Sequence, residues 1–214
     1  MSAASAATLL VIAKQPVPGR VKTRLTPHYT PEEAAALAEA ALQDTLHTVA
    51  RIPARRRVLV LDGAPGAWLP PGFDVVPQAS GALDERIAAA FGLCDRGPAF
   101  LVGMDTPQLT AGLVADAVRE PHDAWFGPAA DGGFWALGLA DPACAATLVR
   151  GVPMSTDRTG AVQRRRLVEA GLHVKDLPVL RDVDTPADAR EVAACCPPGS
   201  RFAAAVSSLA RAGR

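Results

Sequence analysis

What this chain lacks narrows its function before any motif is read. It has no net charge, with 22 Lys plus Arg against 22 Asp plus Glu. No global field therefore gathers a polyanion such as DNA or RNA, and any phosphate binding must be local. The runs Arg55-Arg56-Arg57 and Arg164-Arg165-Arg166 have no interleaved aromatics and read as solvated faces. Cys94, Cys144, Cys195 and Cys196 show no C-x-x-C spacing, which argues against zinc and against a disulfide framework. His28, His47, His122 and His173 share no spacing, so neither a histidine metal cluster nor a Ser/His/Asp triad finds support. No apolar run approaches the length that spans a bilayer. The stretch from Ala3 to Ala13 has no basic residue before it and runs into Lys14, so it makes a poor signal peptide and a better buried first strand. A cytoplasmic protein without nucleic-acid or membrane partners is expected.

What is present describes an α/β protein. At 214 residues and 49% hydrophobic composition, one domain is expected over residues 1–197, followed by a C-terminal helical tail over 198–214. Thr8 to Ala13 is a continuous apolar run ending in a basic Pro/Gly loop, as a central parallel strand followed by its ligand loop reads. Thr30-Pro31-Glu32-Glu33 combines an N-cap, a proline at the first helical position and an acid three residues after the cap. Ala38, Leu42, Leu46 and Val49 then recur at helical spacing, and the helix ends before Pro53. Strands are expected over Arg57–Leu61, Phe73–Val76, Ala99–Met104, Ala124–Phe126, Phe134–Leu139 and Val174–Leu177. Helices are expected over Leu83–Leu93, Thr110 to about Arg119, and Asp157–Ala170. This alternation implies a doubly wound, mostly parallel sheet with a small antiparallel excursion around Asp131-Gly132-Gly133. Trp68, Trp125 and Trp135 read as packing or lid residues.

The chemistry sits after the strands. Lys14, Arg20, Lys22 and Arg24, with Thr23 and Gly19, crowd the turn after the first strand. Ligands of open α/β sheets bind beyond the carboxyl ends of strands, and cations there suit phosphate oxygens. Gly19 permits the backbone approach that anion-binding turns require. The spacing is not that of a Walker A loop. Asp105 follows the next central strand and precedes Thr106-Pro107. It is either an Asx-turn residue or a hard oxygen ligand for Mg²⁺ or Mn²⁺. Asp182 and Asp184 also follow a strand and could complete such a site, whereas Asp188 reads as the capping-box acid of Thr185. Asp131-Gly132-Gly133 is either a hairpin turn or an acceptor of substrate hydroxyls. Ser155-Thr156-Asp157 is likewise a helix cap or an anion or hydroxyl contact.

Four motifs in order resemble the DUF2064 family of small transferases, within the GT-A (nucleotide-diphospho-sugar transferase) superfamily. They are A-K-x-P-x-P-G-x-V-K-T-R-L at Ala13 to Leu25, G-x-D-x-P at Gly103 to Pro107, G-P-x-x-D-G-G at Gly127 to Gly133, and D-V-D-T-P at Asp182 to Pro186. The likeness runs from about residue 8 to 190. It departs at Leu83-Asp84-Glu85-Arg86, where L-G-E-R is usual, and at Met154, where tryptophan is usual.

The resemblance implies a GT-A-like fold, a metal held by Asp105 and Asp184, and a nucleotide bound by Lys14, Gly19, Arg20, Lys22, Thr23 and Arg24. An acceptor would meet Asp131, Gly132, Gly133 and Thr156. Some members carry a glycosyltransferase label, while Lys22-Thr23-Arg24-Leu25 is similar to the K-S-R-L of guanylyltransferases that activate phospholactate in deazaflavin cofactor assembly. Because four cations suit a triphosphate better than a diphosphate, a nucleotidyltransferase with Mg²⁺ (or Mn²⁺), a nucleoside triphosphate and a small phosphorylated acceptor is the leading expectation, with Lys22 and Arg24 acting on the phosphates. A glycosyltransferase using an NDP-sugar, with Asp131 as base, is the alternative. A non-catalytic nucleotide-binding protein is the third reading. A homodimer is compatible with all three.

Overall fold

The computed structural model describes residues 7–117 and 121–212. Among them, seven strands form one sheet in the order β3-β2-β1-β4-β6-β5-β7. The strands are β1 (Thr8–Lys14), β2 (Arg56–Asp62), β3 (Asp74–Pro77), β4 (Ala99–Val102), β5 (Ala124–Pro128), β6 (Phe134–Leu139) and β7 (Val174–Asp176). The helices are α1 (Pro31–Ala50), α2 (Leu83–Phe91), α3 (Ala111–Ala117), α4 (Ala145–Val149), α5 (Thr159–Glu169), α6 (Pro186–Cys195) and α7 (Arg201–Ala212). Every expected strand and helix forms within a few residues of its expected bounds. Arg119, the expected end of α3, lies outside the described residues. No helix among the described residues is long and apolar enough to cross a membrane.

The expected antiparallel excursion is β6, which pairs antiparallel with both β4 and β5 and so belongs to the one sheet. All other pairings are parallel. Strict alternation along β1 sends Leu9, Val11 and Ala13 to one face and Leu10 to the other. The first face is covered by the α1 stripe Ala38, Leu42, Leu46 and Val49, with Val114 and Ala117 of α3. The second is covered by Ile87 and Phe91 of α2, Leu148 and Val149 of α4, and Leu167 of α5. A sheet buried on both faces explains why its strands read as continuous apolar runs.

Helix starts follow their local chemistry. Thr30 accepts from the Glu33 backbone N–H at 3.2 Å while the Glu33 carboxylate accepts from the Thr30 N–H at 2.8 Å, closing the expected capping box. Thr185 and Asp188 do the same for α6. Burial pulls the Asp188 carboxyl upward, but the hydrogen bonds from Thr185, backbone and Arg181 outweigh it and hold the group below the usual carboxylate range. A depressed folded value stabilises above the unfolded pKa, and that contribution is lost as pH falls through the folded value. Asp188→Ala is thus expected to cost about 1 kcal/mol at neutral pH. The difference should shrink in urea titrations as the solution is taken below the unfolded carboxylate range.

The C-terminal helix is anchored rather than trailing. Asp44 of α1 is buried and accepts from Ser200 Oγ at 2.7 Å and from the backbone N–H groups of Arg201 and Phe202 at 3.1 and 3.0 Å. Phe202 and Val206 then pack with Leu37, Ala41 and Val192 in a third apolar cluster on the outer side of α1. Asp44→Ala orphans three donors around one buried site, so a loss of about 3 kcal/mol in urea unfolding is expected, with hydrogen exchange accelerated first in α7.

One expectation fails in packing. Arg57 is not on a solvated face: it is half-buried and donates to the carbonyls of Val49 and Ile52, tying β2 to the end of α1. Arg55, Arg56 and Arg164 are paired with Asp95, Asp74 and Asp176. The helix α4 and the 3-10 turn Pro142–Cys144 before it were not expected, being too short for a helical stripe to show. The four cysteines are unbonded.

Candidate active site

The chain leaves β1 to build β2 and β3 on one side, then returns to place β4 on the other. The ends of β1 and β4 therefore flank the point where strand order reverses, which is where open α/β sheets bind ligands. A cleft of about 580 Å³ opens there. Lys14, Arg20, Lys22, Thr23, Arg24, Asp105, Asp131, Gly133, Thr156 and Asp184 all line it. Residues separated by most of the sequence are thus gathered at one rim of the sheet.

Gly19 and Gly132 stand in the adjoining turns rather than on the wall. Gly19 has φ 74°, and a Cβ there would meet nothing within 4 Å, so its backbone conformation is what calls for glycine.

Backbone bonds set the acids. The Lys14 N–H contacts Met104 Sδ at 3.2 Å, holding the end of β1 against the residue before Asp105. The Val183 N–H donates to the Asp105 carbonyl at 3.0 Å, and Gln108 Nε2 donates to the Arg181 carbonyl at 2.8 Å. The 182–184 segment is thereby laid alongside Asp105. Lys22 adopts the left-handed region, φ 50° and ψ 36°, and its side chain turns inward. Its Nζ lies 2.9 Å from Asp105 Oδ1 and 3.1 Å from Asp184 Oδ1, with the side chain only 8% exposed. Arg24 meets the second Asp184 oxygen, Oδ2, at 3.1 Å.

Electrostatics follow from this gathering. Burial pulls the Lys22 ammonium downward, but the charges of Asp105 and Asp184 outweigh it and hold its pKa above the ordinary lysine value. Asp182 is pushed up to about 7 by burial first, then by the neighbouring charges of Asp105 and Asp131, with Lys22 opposing. Among the described residues, neither Lys14 nor Arg20 is engaged in an ion pair, so two cations at the mouth are available to an anion.

The other side of the cleft is built by close backbone approach. Asp131 Oδ1 accepts from the Gly133 N–H at 2.8 Å, which fixes the carboxylate over the β5–β6 hairpin. The Gly160 N–H donates to the Gly132 carbonyl at 2.8 Å, docking the hairpin tip on the start of α5. Ser155 takes φ 59°, and the Thr156 hydroxyl is engaged with Thr159 Oγ1 at 3.2 Å and the Arg158 N–H at 3.3 Å. Thr156 is therefore at once a local cap and a cleft-lining residue. Trp135 also lines the cleft, buried, with its indole N–H on the Pro178 carbonyl at 3.0 Å.

Gln78 and Arg86 line the cleft without having been given a role by the sequence reading. Gln78 Nε2 donates to the Ala13 carbonyl at 2.7 Å, and its Oε1 accepts from Arg86 at 3.3 Å. Gln78 directly follows β3, so the rule that pointed to Asp105 could have pointed to it.

Among the described residues, no three His, Cys, Asp or Glu side chains form a complete ligand set. An ion held by Asp105 and Asp184 must therefore complete its shell with water and substrate oxygens, as Mg²⁺ sites commonly do. The donor set fits such an ion. The two carboxylates are hard oxygen donors, 38% and 31% exposed, and already converge on one positive charge.

A family model described as "Uncharacterized protein conserved in bacteria (DUF2064)" matches residues 29–156. No curated protein matches the sequence. Among solved structures, a provisionally named nucleotide-diphospho-sugar transferase from Desulfovibrio desulfuricans G20 is 26% identical and superposes with a TM-score of 0.86, over 97% of this chain and 95% of that one. A homologue of Mycobacterium tuberculosis Rv0371c from Mycobacterium sp. strain JC1 is 21% identical, with a TM-score of 0.58 over 89% of this chain and 97% of that one. CMP:2-keto-3-deoxy-manno-octonic acid synthetase, solved with CTP, is 12% identical, with a TM-score of 0.53 over 87% of this chain and 96% of that one. The last two share the fold.

Proposed function

The chain belongs to the DUF2064 family, and on that footing we propose that it is a nucleotide-using transferase, specifically a metal-dependent nucleotidyltransferase. The observation that carries this reading is the convergence of Lys22, Asp105 and Asp184 in the cleft at the strand-order switch, beside Lys14 and Arg20, which form no ion pair among the described residues.

Asp105 and Asp184 would hold a divalent cation, Mg²⁺ or Mn²⁺. Such an ion would supply positive charge to the phosphate oxygens as negative charge develops on them. Lys14 and Arg20 receive the nucleotide's phosphates at the mouth, and Lys22 and Arg24 neutralise the charge that develops on the departing pyrophosphate. An acceptor phosphate oxygen attacks the α-phosphorus, and the bond to the β-phosphate oxygen breaks. Asp131 and Gly133 orient the acceptor, with Thr156 beside them.

The relative from Desulfovibrio desulfuricans favours a second reading, transfer from an NDP-sugar with Asp131 as base. The diphosphate of an NDP-sugar carries less charge than a nucleoside triphosphate and has less need of four cations, which favours nucleotidyl transfer.

Incubation with Mg²⁺, the four common nucleoside triphosphates and a panel of phosphorylated metabolites tests the proposal. Acceptor-dependent pyrophosphate release is expected. NDP-sugar consumption without pyrophosphate release would establish the second reading instead. Thermal stabilisation by nucleotide with no turnover of any substrate would leave a non-catalytic nucleotide-binding protein.

A further inference from the structure

We propose that Lys22 is a tethered stand-in for the metal: its ammonium group holds the cation position between Asp105 and Asp184 in the nucleotide-free protein, and a divalent ion binds there tightly only once phosphates draw Lys22 away. The inference rests on the metal-dependent reading above and adds an order of binding to it.

Three observations support it. Lys22 Nζ bridges Asp105 Oδ1 and Asp184 Oδ1 at 2.9 and 3.1 Å, distances that leave no room for a second cation between the same oxygens. With Arg24 on the remaining Asp184 oxygen, this chain's own cations occupy both oxygens of Asp184 and one of Asp105. The Lys22 backbone is held in the left-handed region, which a non-glycine residue adopts at a cost.

The release route is equally local. Val21 and Leu25 are buried on either side of Lys22 and keep the loop in place. The lysine stem has four rotatable carbons and can swing without moving that loop. Lys14 and Arg20 line the same cleft and would bring a phosphate chain within its reach. A phosphate is a better partner for the ammonium than two acids about to receive a dication, because like charges at this separation repel strongly in a partly buried site. Metal and nucleotide then enter together, and a metal alone competes with Lys22.

Calorimetric titration of the full chain with Mn²⁺ alone tests this, comparing wild type with Lys22→Met and Lys22→Gln. The glutamine keeps a hydrogen-bond donor of similar reach and guards against a methionine variant that folds poorly. Both variants should bind Mn²⁺ at least tenfold more tightly than wild type. Their metal-free Tm should fall below that of wild type and be restored by saturating Mn²⁺, with a larger upshift than wild type shows. Equal or weaker Mn²⁺ binding by the variants overturns the stand-in role while leaving a metal-dependent transferase intact. Absence of Mn²⁺ binding in all three proteins overturns the stand-in role, and its absence from all three with a non-hydrolysable nucleoside triphosphate also present overturns the metal-dependent reading.

Discussion

Asp105→Asn is expected to lower the rate of pyrophosphate release by about 10³-fold while the protein remains folded. The substitution preserves shape and leaves Lys22 an oxygen to bond, but it removes one of the two charges that hold the cation. Metal ions contribute several kcal/mol of transition-state charge stabilisation, and each 1.4 kcal/mol is about tenfold in rate. The KM for nucleotide should change far less, because Lys14 and Arg20 lie apart from this carboxylate's ion pair and still receive the phosphates. Steady-state kinetics across a Mg²⁺ titration make the comparison. A variant that keeps more than a tenth of wild-type turnover at saturating Mg²⁺ would remove Asp105 from the proposed metal site.

The second large effect is predicted for a residue that carries no chemistry of its own. A Cβ at Gly132 would lie 2.0 Å from the Asp157 carbonyl oxygen and 2.5 Å from its carbon, at φ 89°. These are backbone atoms at the approach to α5, so no rotamer change relieves the clash. Gly132→Ala should lift the hairpin tip from α5 and break the bond from the Gly160 N–H to the Gly132 carbonyl. Overpacking of this kind costs about 1–3 kcal/mol, and the left-handed backbone adds roughly 1–2 more. A fall in Tm of roughly 4–20 °C is expected for a chain of this size. Gly19→Ala is the control, because there only the backbone term applies. Activity should fall with stability in the first variant, since Asp131 and Gly133, which line the cleft or set its carboxylate, flank the displaced turn. Equal Tm values for the two variants would show that the hairpin is free to move.

How much of this was legible in the residues differs element by element. The first strand and α1 were readable because their signals are local: an apolar run ending in a basic loop, and Thr30-Pro31-Glu33 writing its own cap. Asp188 was separable from Asp184 for the same reason, as its partner lies three residues away. Asp105 and the basic loop were legible as strand-end residues, a placement that topology alone makes functional. The docking of α7 was not, because Asp44 and Ser200 are 156 positions apart and neither stands out in its own neighbourhood. Arg57 was misread because a three-arginine run carries no mark of which member turns inward. The five-residue helix α4 offered too few turns for a stripe.

Pattern and capping along the chain determined which segments become strands and helices, where most of them begin, and which charged groups stand at strand ends. Those are outcomes of contacts made within a few residues, and a linear reading contains them. Only the tertiary structure decided that Lys22 would lie against Asp184, 162 positions away, that burial and crowded charge would raise Asp182, and that two backbone segments would meet at Gly132. Charge neutralisation and close packing depend on distance through space, and that distance is set when the sheet order folds remote strand ends onto one rim.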